Sequence, residues 1–319
     1  MKTIQWIISA LVAVVIIAAA VGGGVYFTRL KSIHSIRKLT DYENYNLYRM
    51  DIDYAYDLDR LIDRGITDNQ SMINAILAEA LPYLPIHMKA PNFGCSAFCT
   101  QGTDGHTLMG RNYDFKNDTS AMLVYCTPKD GYASVAFAAL DNINANTPDA
   151  SMAKKLATLT APFICLDGMN EKGVSIAVLT LDSDPTYQQT GKPMIATTLA
   201  IRLVLDRAAT TAEAVELLSK YDMFASSGWD YHFYITDASG DGRVLEFNQQ
   251  STAYMASSTQ LGATFISDIL VSQLPAFENL VYYKLDGEEA KRKVFFYYKT
   301  HKYKTRVMEE FIRMMHEQI

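Results

Sequence analysis

The sequence predicts an α+β domain, sheets with helices packed on their outer faces, behind a hydrophobic N-terminal helix. Three observations lead there. A block of short strand-like runs with Gly- and Asp-rich turns follows Asn92. Two helical stretches come next, at 194–208 and 210–221, and strand-like runs then resume. A chain of 319 residues with 49% hydrophobic and 20% charged residues can bury a sizeable core in one or two domains. A net charge of −6 and the lack of a dense basic stripe argue against nucleic-acid binding.

The elements follow in order. From Thr3 to Thr28 there is no charged residue, and a run of ~20 apolar residues is long enough to span a bilayer as a helix. Its length suits a single-pass signal-anchor, while the tract Ala18-Ala19-Ala20 also fits a cleaved signal peptide. Arg29, Lys31, Arg37 and Lys38 would hold the following chain in the cytoplasm by the positive-inside rule. A soluble enzyme on such an anchor is more often exported, and the expectation adopted is an extracytoplasmic or secreted domain. Residues 29–45 read as a basic, polar linker. The next stretch, LYRMDIDYAYDLDRLIDRG, is aromatic and acidic and then helical, with Gly65 as a stop. A helix capped by Thr67 or Asp68 presents Met72, Ile73, Ile76, Leu77, Ala80 and Leu81 on one face and ends at Pro82.

After Asn92, CSAFCTQ, TLMGRNYDF, SAMLVYCTP and YASVAFAAL read as four strands. FICLDGMNEKGVSIAVLTL is a strand pair about the turn Asn170–Gly173. The helix MIATTLAIRLVLDRA precedes a second one opened by the capping box Thr210-x-x-Glu213. YHFYITDASGDGRVLEFN is a hairpin turning at Ser239–Gly242. The expected domains are 1–28 as anchor or signal peptide, 29–94 as linker and helical pro-segment, and 95–319 as the main domain.

The four cysteines form no C-x-x-C pair and have no histidines at zinc spacing, so each is first read as a small buried hydrophobe. Cys95 stands apart, because Arg111 follows it by 16 residues and Asp114 by 19, within Gly-Arg-Asn-x-Asp after a hairpin turn. With DGMNEKGVSIAVLTL at 167–181 and YHFYITDASGDGRVLEF at 231–247, this resembles the choloylglycine hydrolase group of N-terminal nucleophile amidases. That group includes bile salt hydrolases and penicillin V acylases, with acid ceramidase and isopenicillin N acyltransferase families as relatives. The resemblance covers roughly residues 46–260.

The resemblance implies a four-layer αββα sandwich and hydrolysis of a linear, non-peptide amide by an N-terminal cysteine. A thiol of pKa ~8.5 is mostly protonated at neutral pH, and an α-amine near ~7.7–8.0 can serve as its base. Since 94 residues precede Cys95, this requires a cut between Gly94 and Cys95, made by the thiol itself in relatives with pro-segments. Arg111 would favour the thiolate and orient the scissile carbonyl, and Asp114 would hold the α-amine. Thr180 stands where many relatives have an asparagine, and its hydroxyl could donate to an oxyanion, a contribution of ~3 kcal/mol in comparable cases. The pattern departs at Phe265, where relatives carry Asn after Thr, and residues 265–319 show neither the family's late arginine nor its closing strands.

Blander readings remain beside these. Cys126 and Cys165 are expected in the core, Asp167 and Asn170 as turn-formers, His232 as a packed histidine and His106 in solvent. No metal site or phosphate-binding loop is present, so no cofactor is expected. The partners expected are a small amide, N-acyl or bile-salt-like, and the membrane through the N-terminal helix; an oligomer is compatible with all of this. Two alternatives stay open: an acyltransferase using the same cysteine, and a catalytically inactive, membrane-tethered binding protein.

Overall fold

The computed structural model describes residues 6, 12–13, 22–82, 88, 95–101, 105–113, 118–181, 183–247, 252–258 and 264–266. The chain divides into two units, residues 1–275 and 276–319, and all described residues lie in the first. The hydrophobic span at Thr3–Thr28 falls mostly outside the described residues. Among those described, no helix is long and apolar enough to cross a membrane.

A helix, α1, covers residues 22–34. The segment expected to be linker and helices contributes two strands, β1 (Arg37–Lys38) and β2 (Leu47–Ile52), before α2 (Leu58–Ile62) and α3 (Asn69–Ala80). In α3, Asp68 is the cap and accepts from the Ser71 amide, while the Ser71 hydroxyl receives the Asp68 N–H. Met72, Ile73, Ile76 and Ala80 form the buried face.

The strands after residue 94 follow the sequence reading: β3 (Cys95–Gln101), β4 (Thr107–Tyr113), β5 (Ala121–Cys126) and β6 (Ser134–Ala139). A short helix, α4 (Met152–Ala157), leads to β7 (Cys165–Asn170) and β8 (Ser175–Leu181). The turn between these two requires a left-handed residue, supplied by Gly173 at φ +85°. The first predicted helix begins instead as a strand, β9 (Met194–Ala196), before α5 (Thr197–Arg207) and α6 (Thr211–Leu218). Then come β10 (Asp222–Phe224), β11 (Asp230–Thr236), β12 (Asp241–Phe247), β13 (Thr252–Ser258) and β14 (Thr264–Ile266).

Nine strands form one sheet in the order β1-β2-β5-β6-β7-β8-β11-β12-β13, antiparallel throughout except where β2 runs parallel to β5. A second sheet has the order β14-β3-β4, and β9 and β10 form a parallel pair. Strand periodicity sorts the residues between faces. Met122, Val124, Ala136 and Ala138 are buried on the face where α5 packs against β7 and β8, and α6 against β11 and β12. Gly168 lies on that face too, and a Cβ there would stand 2.7 Å from the Val135 carbonyl and 2.8 Å from Leu205. The small sheet covers part of the opposite face, with Cys99 Sγ 3.4 Å from Thr236 Oγ1. The described residues therefore make three layers: helices, large sheet, small sheet.

Candidate active site

The site forms where the inner face of the β3–β4 hairpin meets β7 and β8. In the hairpin register Cys95 is opposite Tyr113 and Ala97 is opposite Arg111. Cys95, Ala97 and Cys99 therefore share one face with Arg111 and Tyr113, and Arg111 is the diagonal neighbour of Cys95, within reach of a long side chain. Arg111 Nη2 donates to Cys95 Sγ at 2.5 Å and to the Val178 carbonyl at 3.4 Å. Its other terminal nitrogen, Nη1, lies 3.0 Å from Asp167 Oδ2. The guanidinium thus links the thiol on one sheet to a carboxylate on the other.

Burial makes this link matter. The Arg111 side chain is 8% exposed and that of Asp167 is 12% exposed, a setting in which charges are tolerated when paired. Burial pushes the Asp167 carboxyl above the ordinary value, against the opposing pull of Arg111 and a backbone hydrogen bond from Phe137. Burial raises the Tyr113 and Tyr231 hydroxyls, with Asp141 and then the negative form of Cys95 adding to it for Tyr113, and Cys95 for Tyr231; Tyr113 stands opposite Cys95 in the hairpin.

Beside Arg111 opens a cavity of about 650 Å³, within the range of small-molecule sites. Its polar lining includes Arg111, Tyr113, Asp167, His106 and Asp237. Its wall is apolar, and includes Leu108, Leu123, Val135, Phe137, Leu166 and Met169. Phe137 and Met169 are 40% and 49% exposed there. Cys95 itself is buried and touches the cavity-lining Arg111 through its sulfur.

Of the site residues read from the sequence, Cys95 and Arg111 are in contact. Thr180 is half-buried on β8, two residues beyond Val178 and opposite Tyr231. Asp114 and Gly94 lie outside the described residues. Phe265 is in β14, which pairs with β3 so that Phe265 is opposite Phe98. His232 is buried and its Nδ1 lies 3.1 Å from Glu246 Oε1, and His106 is exposed and lines the cavity. Asn170 acts as the turn-former expected, accepting from the amides of Lys172 and Val174. Cys126 and Cys165 are buried, and burial raises the Cys126 thiol to about 11. Among the described residues, no group of three or more His, Cys, Asp or Glu could hold a metal ion.

Asp167 was expected to form a turn and instead pairs with Arg111. The signal was legible: an acidic residue inside the apolar run Phe-Ile-Cys-Leu-Asp-Gly-Met needs a buried cationic partner, and Arg111 was the residue already set in a strand interior.

Residues 95–256 match the family of linear amide C–N hydrolases, choloylglycine hydrolase family, and the match begins at Cys95. Two variants of the conjugated bile acid hydrolase from Clostridium perfringens are similar at 19% and 18% identity, over 58% of this chain and 54% and 55% of theirs, with TM-scores of 0.38 and 0.39. The penicillin V acylase from Agrobacterium tumefaciens is similar at 17% identity over 58% of this chain and 49% of that one, with a TM-score of 0.32. The chain thus spans about half the length of these solved structures. No curated protein matches it. The matched region is half of the chain, and the chain belongs to the choloylglycine hydrolase family of linear amide C–N hydrolases.

Proposed function

We propose that this chain hydrolyses a linear, non-peptide amide through a thioester on Cys95, after a cut between Gly94 and Cys95 frees the cysteine's α-amine. The observation that carries the reading is the contact of Arg111 Nη2 with Cys95 Sγ beside an apolar cavity. A guanidinium against sulfur favours the thiolate, the attacking species.

In the proposed reaction the α-amine takes the thiol proton, and sulfur attacks the amide carbon to give a tetrahedral oxyanion. The Thr180 hydroxyl is the side-chain donor proposed for that oxygen, and Asp114 orients the α-amine. Collapse breaks the C–N bond, and the α-ammonium returns its proton to the departing nitrogen. Water, deprotonated by the same amine, then attacks the thioester, releasing the acid and restoring the thiol. The apolar wall suits an apolar acyl half. On this reading the complete fold is the four-layer αββα sandwich, and the uncharged run Thr3–Thr28 anchors the domain at the outer membrane surface, a topology that protease protection of the tethered protein would test.

A second reading, an inactive binding protein, is favoured by Phe265 on the strand beside β3. A panel of N-acyl amides, assayed with purified protein and with Cys95→Ser, separates the two. Release of amine by the wild type and its loss in the variant supports hydrolysis. Equal release by both sinks the nucleophile, and binding without release supports the second reading. Adding a competing amine tests acyl transfer through formation of a new amide.

A further inference from the structure

We propose that Asp167 is the positioning residue of the site, holding the Arg111 guanidinium so that Nη2 rests on the Cys95 sulfur; this rests on Cys95 being the reactive thiol. The geometry is that of a clamp. Asp167 Oδ2 takes Nη1 at 3.0 Å from the large sheet, the Val178 carbonyl takes Nη2 from the adjacent strand, and Nη2 then meets Cys95 Sγ. A guanidinium is planar, so fixing Nη1 on a carboxylate fixes where Nη2 points. The carbonyl at 3.4 Å is too long a contact to set that plane alone. Asp167 is itself held by the register, opposite Phe137 and Ala177 on neighbouring strands.

Among the described residues, the titratable groups around the thiol are Arg111, in contact with it, Tyr113 opposite Cys95 in the hairpin and Tyr231 on β11, which is coupled to it electrostatically, with Asp167 from β7 paired to Arg111. Asp167 therefore has two opposite effects on the thiolate. Its charge disfavours it slightly through space, while its hold on Arg111 favours it through contact. Substitutions separate them. Asp167→Ala removes both charge and hold, whereas Asp167→Asn removes the charge and keeps a carbonyl that accepts from Nη1.

The test is the pH dependence of Cys95 alkylation by iodoacetamide, followed by peptide mass in the full chain and requiring no substrate. Asp167→Ala is expected to move the midpoint up by about one pH unit, a tenfold loss of thiolate at lower pH, with Asp167→Asn at or below the wild-type midpoint. This split between the two variants would not arise from a merely structural role. A midpoint in Asp167→Ala that is unchanged or lower overturns the proposal. Cys99, fully buried on the same strand face, reports folding. If Asp167→Ala lets Cys99 react, Asp167→Asn decides alone: a midpoint at or below wild type supports the clamp, and one above it overturns it. Lack of amide hydrolysis by the wild type would count against the amidase and leave this comparison intact.

Discussion

Replacing Tyr56 by Phe is expected to cost about 2 kcal/mol, although Tyr56 lies in the segment before the proposed cut. Its hydroxyl stands 3.0 Å from each carboxylate oxygen of Asp206. Asp206 is buried and pairs at 2.6 Å with Arg202, whose side chain is fully buried and reaches Ser134. A hydrogen bond to a charged group contributes roughly 1.5–3 kcal/mol. Phe keeps the ring and its edge contact with Phe163, at 5.3 Å between centroids, so no cavity opens. Asp206 keeps Arg202, so no charge is left unpaired, and the lower half of that range applies. Urea unfolding in a Cys95→Ala background, where one uncut chain unfolds, gives the free energy, and an unchanged m-value assigns the loss to stability. A double-mutant cycle with Asp206→Asn should return most of it as coupling. A loss below ~0.5 kcal/mol, or an additive cycle, would refute the reasoning that the Tyr56–Asp206 hydrogen bond ties the segment before the proposed cut to the rest of the domain.

Other expectations are simpler. Gly168→Ala would drive a methyl group against the Val135 backbone and Leu205, and should destabilise by roughly 1–3 kcal/mol in thermal or urea unfolding. Phe137→Ser removes apolar cavity wall, and should raise KM for an apolar acyl amide about tenfold with a smaller change in kcat. Burial pushes the Asp222 carboxyl up, but its bonds from Thr190, Gly191 and Lys192 hold it on balance below the ordinary 3.8. Its native value is depressed, so its contribution is fully present above pH 3.8 and is lost as pH falls through the native value. Asp222→Asn should therefore flatten the acid limb of stability below about pH 4, and an unchanged limb would contradict the assignment.

Much of the architecture was legible because its signals are local. Alternating apolar residues, the Asn170–Gly173 turn and the Thr210 cap each fix an element within a few residues. The strand β2 was not, because its partner β5 is some seventy residues away and an acidic, aromatic run carries no mark of parallel pairing. The start of the predicted helix at Met194 became β9 through its pairing with Asp222–Phe224, again a tertiary effect. The spacing that singled out Cys95 and Arg111 is a property of one hairpin, where register converts sequence distance into contact. Asp167 arrives from the other sheet, so only the demand that a buried carboxylate be paired could have pointed to it.

The most direct test of the central claim, that Cys95 becomes an N-terminal nucleophile, is the intact mass of purified protein beside the Cys95→Ala variant. The expected result is a fragment beginning at Cys95 in the wild type alone, co-purifying with the residues before it because β2 is built into the large sheet. A wild-type chain left uncut, like the variant, would contradict the account, since no α-amine would then stand beside the thiol to act as its base.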